Sequence, residues 1–183
     1  MTEQDIIQMI KNDEWMMNVL TEANKLNLPD WVIGAGFLRN KVWDYLHDIK
    51  RDVADTHDID LVYFDNININ EEKDRKLSES MKDVLGLDWE IVNQAYTHKW
   101  HNRDIPYKDT AEGLSEWVET PTCVGVTLVN GELKIIAPHG IDDLVNLIVR
   151  PTPSSKGDLG IFYSRIENKK WLEKWPKLRV IVD

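Results

Sequence analysis

Two short segments, residues 31–40 and 58–64, constrain what this chain can fold into more than the rest of it. The first, Trp31-Val32-Ile33-Gly34-Ala35-Gly36-Phe37-Leu38-Arg39-Asn40, reads as an apolar strand, a turn of small residues and the opening of a helix. The second, Asp58-Ile59-Asp60-Leu61-Val62-Tyr63-Phe64, reads as a strand that carries two carboxylates. Side chains alternate along a strand, so Asp58 and Asp60 share one face while Ile59, Leu61 and Tyr63 share the other.

Aspartate is disfavoured inside strands, and two of them around one isoleucine in an apolar run call for a reason. A hard divalent cation supplies one. Mg2+ takes oxygen ligands in octahedral geometry, one or two of them protein carboxylates, and completes its shell with water and nucleotide phosphates. Glu90, on a predicted strand over Trp89 to Val92, is a candidate third acid. With two ions, one activates the attacking oxygen and the other steadies the leaving pyrophosphate. Glu90 then holds a metal or takes the proton. An isolated Asp-x-Asp more often marks the solvent face of an edge strand, and it is the glycine turn upstream and Glu90 downstream that shift the balance to the metal.

The free N–H groups at the start of a helix suit an anion, which gives the Gly34-Ala35-Gly36 turn a role as a phosphate cradle. Arg39 falls in the first helical turn, where a cation opposes the helix dipole and is better placed beside a bound anion. A surface ion pair is the alternative.

Composition narrows the function classes. With 183 residues and 42% apolar content, the chain fits one compact domain, or one with a small appendage, and nothing in it marks a boundary. A net charge of −10 opposes a long polyanionic partner, leaving open a small anion in a local basic pocket. The lone Cys123 excludes an internal disulfide, and the absence of a signal-like or long apolar run predicts a cytoplasmic protein without a membrane partner. The stretch 163–179 is locally basic. Its lysines face either an anion or, with Trp171 and Trp175 anchoring a helix to the core, simply water, and the second reading is favoured.

The remaining pattern predicts helices over 3–26, restarted at Asp13, and over Phe37 to His47, Glu71 to Leu85, Ala111 to Val118 and Ile141 to Ile148. Asn130-Gly131 marks a tight hairpin between strands 122–128 and 133–137. This order predicts an α+β domain with a mixed sheet and flanking helices. Cys123 falls in a predicted strand as a small buried residue. Asn93 and Gln94 are candidates to bond a base, a ribose or Glu90, with a helix cap as the alternative for Asn93. His98 and His101 read as surface residues rather than zinc ligands.

These segments are similar to the nucleotidyltransferase superfamily, the DNA polymerase beta-like group, whose pattern is a small-residue turn, a helix, Asp-x-Asp/Glu in a strand and a later carboxylate. More closely, the chain resembles a bacterial nucleotidyltransferase family of unestablished substrate, through 31–47, Asp58 to Asp65, Trp89 to Ala95, Pro121 to Val126, Ala137 to Pro151 and Arg165 to Leu178. The turn departs from the usual Gly-Ser or Gly-Gly by placing Ala35 between its glycines, and the gap to Asp58 is longer. The resemblance implies that Asp58, Asp60 and Glu90 bind Mg2+ and act in catalysis, with room for two ions. It implies too that Gly34, Ala35, Gly36, Arg39 and Asn40 meet the NTP. The expected reaction moves an NMP from an NTP to a hydroxyl of a small-molecule or protein acceptor. Two rivals stand beside it: a non-catalytic nucleotide-binding or interaction module on the same fold, and a metal phosphohydrolase using His57, Asp58, His47 and His98.

Overall fold

The computed structural model describes residues 1–51, 58–101 and 103–182. Helix α1 (Glu3–Lys11) opens on a reciprocal cap between Thr2 and Asp5, and α2 (Glu14–Lys25) on Asp13, whose carboxylate accepts the Met16 N–H at 3.0 Å. The restart expected at Asp13 is therefore a true helix break. The two helices bury Ile6, Ile10, Met16, Val19, Leu20 and Ala23 against the sheet.

The chain then runs through β1 (Val32–Ile33), α3 (Gly36–Leu46), β2 (Asp58–Tyr63), α4 (Glu71–Met81), β3 (Asp88–Asn93), α5 (Gln94–Thr97) and α6 (Thr110–Ser115). It ends with β4 (Gly125–Val129), β5 (Glu132–Ile136), α7 (Asp142–Val145), β6 (Ile148–Val149), α8 (Leu159–Asn168), α9 (Trp171–Lys174) and β7 (Arg179–Val180). The main sheet has the order β3-β2-β1-β4-β5 and is mixed, with β2 and β3 parallel across the α4 crossover and the other neighbours antiparallel. Strands β6 and β7 form a second, parallel pair. This is the α+β architecture that the order of elements predicts. No helix among the described residues is long and apolar enough to cross a membrane.

Alternation along β2 divides the sheet into two faces. Ile59, Leu61 and Tyr63 are fully buried in the main core, while Asp58, Asp60 and Val62 face the other way, where Val62 joins a small cluster with Val32 and Leu114. The hairpin turn is where the sequence puts it, with Asn130 at φ 51° and Gly131 at φ 83°.

Three elements differ from the expectation. Helix α4 stops at Met81 rather than Leu85, because Asp83 and Leu85 take left-handed φ values of 65° and 59°. The turn brings Leu87 and Trp89 into the core, where the Trp89 indole donates to the Val84 carbonyl at 3.1 Å. Helix α7 is a single turn, ended by Leu147 at φ 58°, and Ile148 then pairs with β7 instead of extending the helix. Cys123 lies outside β4. Residues 120–122 form a 3-10 turn, and the Cys123 N–H bonds back to the Glu119 carbonyl at 3.2 Å.

The C-terminal elements pack on α3. Trp171 and Trp175 set their rings edge-on to Trp43 at 5.4 and 5.1 Å, and the Trp175 indole donates to the buried Asp44 carboxylate at 2.7 Å.

Candidate active site

A cleft of about 740 Å3 opens on the carboxylate face of the sheet. The parallel register pairs Asp60 with Glu90 and Val62 with Val92, so these residues line one face side by side, with Asp58 two positions earlier on β2. Asp60 is half-buried, while Asp58 and Glu90 are exposed. Burial first, and then the charges of Glu90 and Asp58, push the Asp60 carboxyl up to about 6, against the opposing pull of Arg39 and Lys169.

The small-residue turn divides its work between sheet and cleft. The Gly34 N–H donates to the Asp60 carbonyl at 3.1 Å, and a Cβ at residue 34 would stand 2.8 Å from the Trp117 ring. Gly34 therefore serves the sheet and the packing of Trp117 and does not line the cleft, whereas Ala35, Gly36, Arg39 and Asn40 do. Ala35 holds φ 51° and ψ −127°, a conformation that favours glycine, and precedes α3 without a side-chain cap. The first N–H groups of α3 have no acceptor inside the helix.

Arg39 is 4% exposed. Its guanidinium donates to Thr122 Oγ1 at 2.9 Å and to Asn40 Oδ1 at 3.2 and 2.9 Å, and it stacks 4.4 Å over Trp171 and 5.3 Å from Trp43. Burial lowers its pKa to about 10, with Glu119 and Asp60 working against that fall and Arg165 adding to it, so Arg39 stays a cation at neutral pH. Arg165 on α8 and Lys169 just after it line the same cleft. Arg165 is held by the fully buried Glu119, with Nε to Oε1 at 2.6 Å.

Other residues singled out in the sequence have different duties. Asn93 is buried: its Oδ1 accepts the N–H groups of Asp65 and Ala95 at 3.0 and 3.1 Å, and its Nδ2 donates to the Asp65 carbonyl. It caps α5 and pins the loop after β2, while its neighbour Gln94 lines the cleft. His47 lies at the end of α3, with Nδ1 2.7 Å from the Trp43 carbonyl and Nε2 accepting the Lys177 N–H at 3.0 Å. Both ring nitrogens are occupied, away from the carboxylates. His98 is buried beside Tyr107, outside the cleft, and His101 Nδ1 shares a hydrogen bond with the Tyr107 hydroxyl at 2.7 Å. His57 lies outside the described residues. Burial drives the Cys123 thiol well above its usual range, and Sγ donates to the Glu119 carbonyl at 3.3 Å, an inert arrangement. The basic C-terminal stretch does two things at once: Trp171 and Trp175 anchor it, while Arg165, Lys169 and Lys174 reach the cleft.

Among the described residues, no three His, Cys, Asp or Glu side chains approach closely enough to enclose a metal unaided. The donor set fits an ion that needs only one or two protein carboxylates and takes its other ligands from water and phosphate.

A family model described as Nucleotidyltransferase matches residues 21–180. Among solved structures, the NMR structure of a protein that reveals a CCA-adding enzyme head domain superposes with a TM-score of 0.85 at 28% identity, over 100% of this chain and 97% of that one. A CCA-adding enzyme in complex with CTP gives 0.57 at 16% identity, over 98% of this chain and 43% of the other. The Thermotoga maritima CCA-adding enzyme complexed with tRNA-CCA gives 0.55 at 18%, over 92% and 40%. The chain spans about two-fifths of these last two enzymes, and its likeness to them is one of fold. No curated protein matches it.

Proposed function

This chain belongs to the nucleotidyltransferase family, and from that premise we propose that it moves a nucleoside monophosphate from an NTP to an acceptor hydroxyl, with Mg2+ and with release of pyrophosphate. The observation that carries the reading is the pairing of Asp60 with Glu90, with Asp58 on the same face and the buried Arg39 cation in the same cleft.

Asp58 and Asp60 are the residues that would hold Mg2+. When bound, the ion supplies charge neutralisation at the phosphates and makes a coordinated hydroxyl more acidic. Arg39 and the opening N–H groups of α3 bind the triphosphate, and Arg165 and Lys169, which line the same cleft, add positive charge. The acceptor oxygen bonds to the α-phosphorus, the bond from that phosphorus to the bridging oxygen breaks, and pyrophosphate leaves with the electron pair. Glu90, beside Asp60, takes the hydroxyl proton and passes it to solvent. An overall charge of −10 favours a small molecule or a protein side chain in the cytoplasm as acceptor over long RNA or DNA.

The test is titration of the isotope-labelled protein with each NTP, with and without Mg2+, following the amides of residues 34–40 and 58–60 by NMR. Magnesium-dependent shifts confined there, absent from a folded Asp58→Asn/Asp60→Asn protein, support the reading. No response to any NTP overturns it. NTP binding without pyrophosphate release in the presence of any acceptor pool would instead support a non-catalytic module.

A further inference from the structure

We propose that Trp100 is the stacking platform for the nucleobase of the bound NTP. The inference rests on the NTP-binding reading above and adds to it the part of the cleft that meets the base rather than the phosphates.

Among the described residues, which include all eight tryptophans, Trp100 alone is exposed, at 60%; the other seven are buried or half-buried. Its ring lines the same cleft as Asp60 and Glu90. Connectivity fixes the placement, because β3, which carries Glu90, runs straight through the Asn93 cap and α5 into the 3-10 turn His98–His101.

Exposed aromatic surface is useful for stacking when it is held rigidly from behind, since little side-chain freedom is then lost on binding. Trp100 is held in this way. Tyr96 stands edge-on to it at 5.7 Å and 71°, is itself 7% exposed, and donates its hydroxyl to Asp74 at 2.7 Å. Asp74 is buried and also accepts the Tyr63 hydroxyl at 2.5 Å and the Asn93 N–H at 2.7 Å. The platform is thus tied through one carboxylate to both β2 and β3.

The surroundings suit a base and not a phosphate. The buried Gln94 side chain lines the cleft nearby, with Oε1 accepting the Thr97 hydroxyl at 3.1 Å, which leaves its amide N–H groups to meet a base edge. Gly113 permits this placement, since a Cβ there would stand 2.5 Å from Gln94 Oε1. The cations that line the cleft, Arg39, Arg165, Lys169, Lys170 and Lys174, come instead from α3 and from the stretch between the middle of α8 and the end of α9.

Calorimetric titration of wild type, Trp100→Ala and Trp100→Phe, in Mg2+, with each NTP and separately with inorganic tripolyphosphate, tests the assignment. Trp100→Ala should bind its NTP about 5- to 150-fold more weakly, the range for loss of one base–aromatic stack, with tripolyphosphate binding within twofold of wild type. Trp100→Phe should retain most of the NTP affinity, and NTP should quench indole fluorescence in wild type more than in Trp100→Phe. Wild-type NTP affinity in Trp100→Ala overturns the proposal, as does an equal loss for NTP and tripolyphosphate. A wild-type protein that binds neither ligand overturns the nucleotidyl-transfer reading itself, and this inference with it.

Discussion

Asp60 stands directly beside Glu90 in the parallel register of β2 and β3, and the Gly34 N–H bonds to the Asp60 carbonyl from the strand on the other side. One residue therefore joins the sheet to the turn at its backbone and the cleft to its carboxylate neighbours at its side chain. The arrangement places like charges close together in a half-buried setting, and the metal-free protein bears the cost.

That cost sets a pH dependence. The folded-state Asp60 pKa of about 6 lies above the ordinary 3.8, so the protonated form is favoured by folding. Its stability contribution is fully present below about pH 3.8 and is lost as pH rises through about 6. Without metal, Asp60→Asn should gain up to about 3 kcal/mol over wild type at pH 7.5 and only about 0.5 kcal/mol at pH 4. Thermal unfolding at both pH values checks this, and an equal gain at both would remove Asp60 as the cause. Added Mg2+ should raise the wild-type Tm above pH 6 and leave that of Asp60→Asn nearly unmoved.

Ala35 at φ 51° and ψ −127° is a second place where local stability gives way to the shape of the site. Ala35→Gly removes the Cβ from a conformation that disfavours it and should stabilise the protein by about 1 kcal/mol, less the entropy glycine gains on unfolding. Urea denaturation measures the sign. A loss of stability would show that the Ala35 methyl contributes packing that outweighs its backbone strain.

The sequence made legible whatever depends on period and turn chemistry. Alternation in 58–64 separates Asp58 and Asp60 from Ile59 and Leu61, and Asn130-Gly131 marks its hairpin, because in each case a local rule suffices. It could not show that Glu90 aligns with Asp60 and not with Asp58, since register belongs to two strands together. Glu119 carried no local signal: its full burial and its pairing with Arg165, 46 residues on, exist only after α8 has docked. Asp74 was hidden for a similar reason, lying in a helix so rich in charge that one inward-facing carboxylate looks like the rest. Trp100 carries no local signal either, and only its exposure distinguishes it from the other tryptophans.

Gly125 tests the close approach of β1 and β4. A Cβ there would collide with the Val32 side chain and stand 2.7 Å from the Ile33 carbonyl oxygen, which is backbone and cannot swing aside. Gly125→Ala should cost about 1–3 kcal/mol, the usual range for overpacking. A cost below 0.5 kcal/mol in urea denaturation would mean that the strands separate freely.

Asp74 should prove more sensitive than its place in a charged surface helix suggests. It is 4% exposed and accepts three hydrogen bonds, from the hydroxyls of Tyr63 and Tyr96 and from the Asn93 N–H. Burial and these bonds drive both phenols well above their ordinary pKa, so near neutral pH they act only as donors to this carboxylate. Asp74→Ala strands two hydroxyls and a backbone N–H in the interior, and at about 1–3 kcal/mol for each unsatisfied group, with partial relief from water, a loss of about 3 kcal/mol is expected. Tyr96→Phe removes one donor together with its need for a partner and should cost about 1 kcal/mol. Urea denaturation of the two variants distinguishes the accounts: similar small losses would mean that α4 is held by its apolar contacts alone, whereas a clear excess for Asp74→Ala identifies the carboxylate as the group tying α4 to β2 and β3.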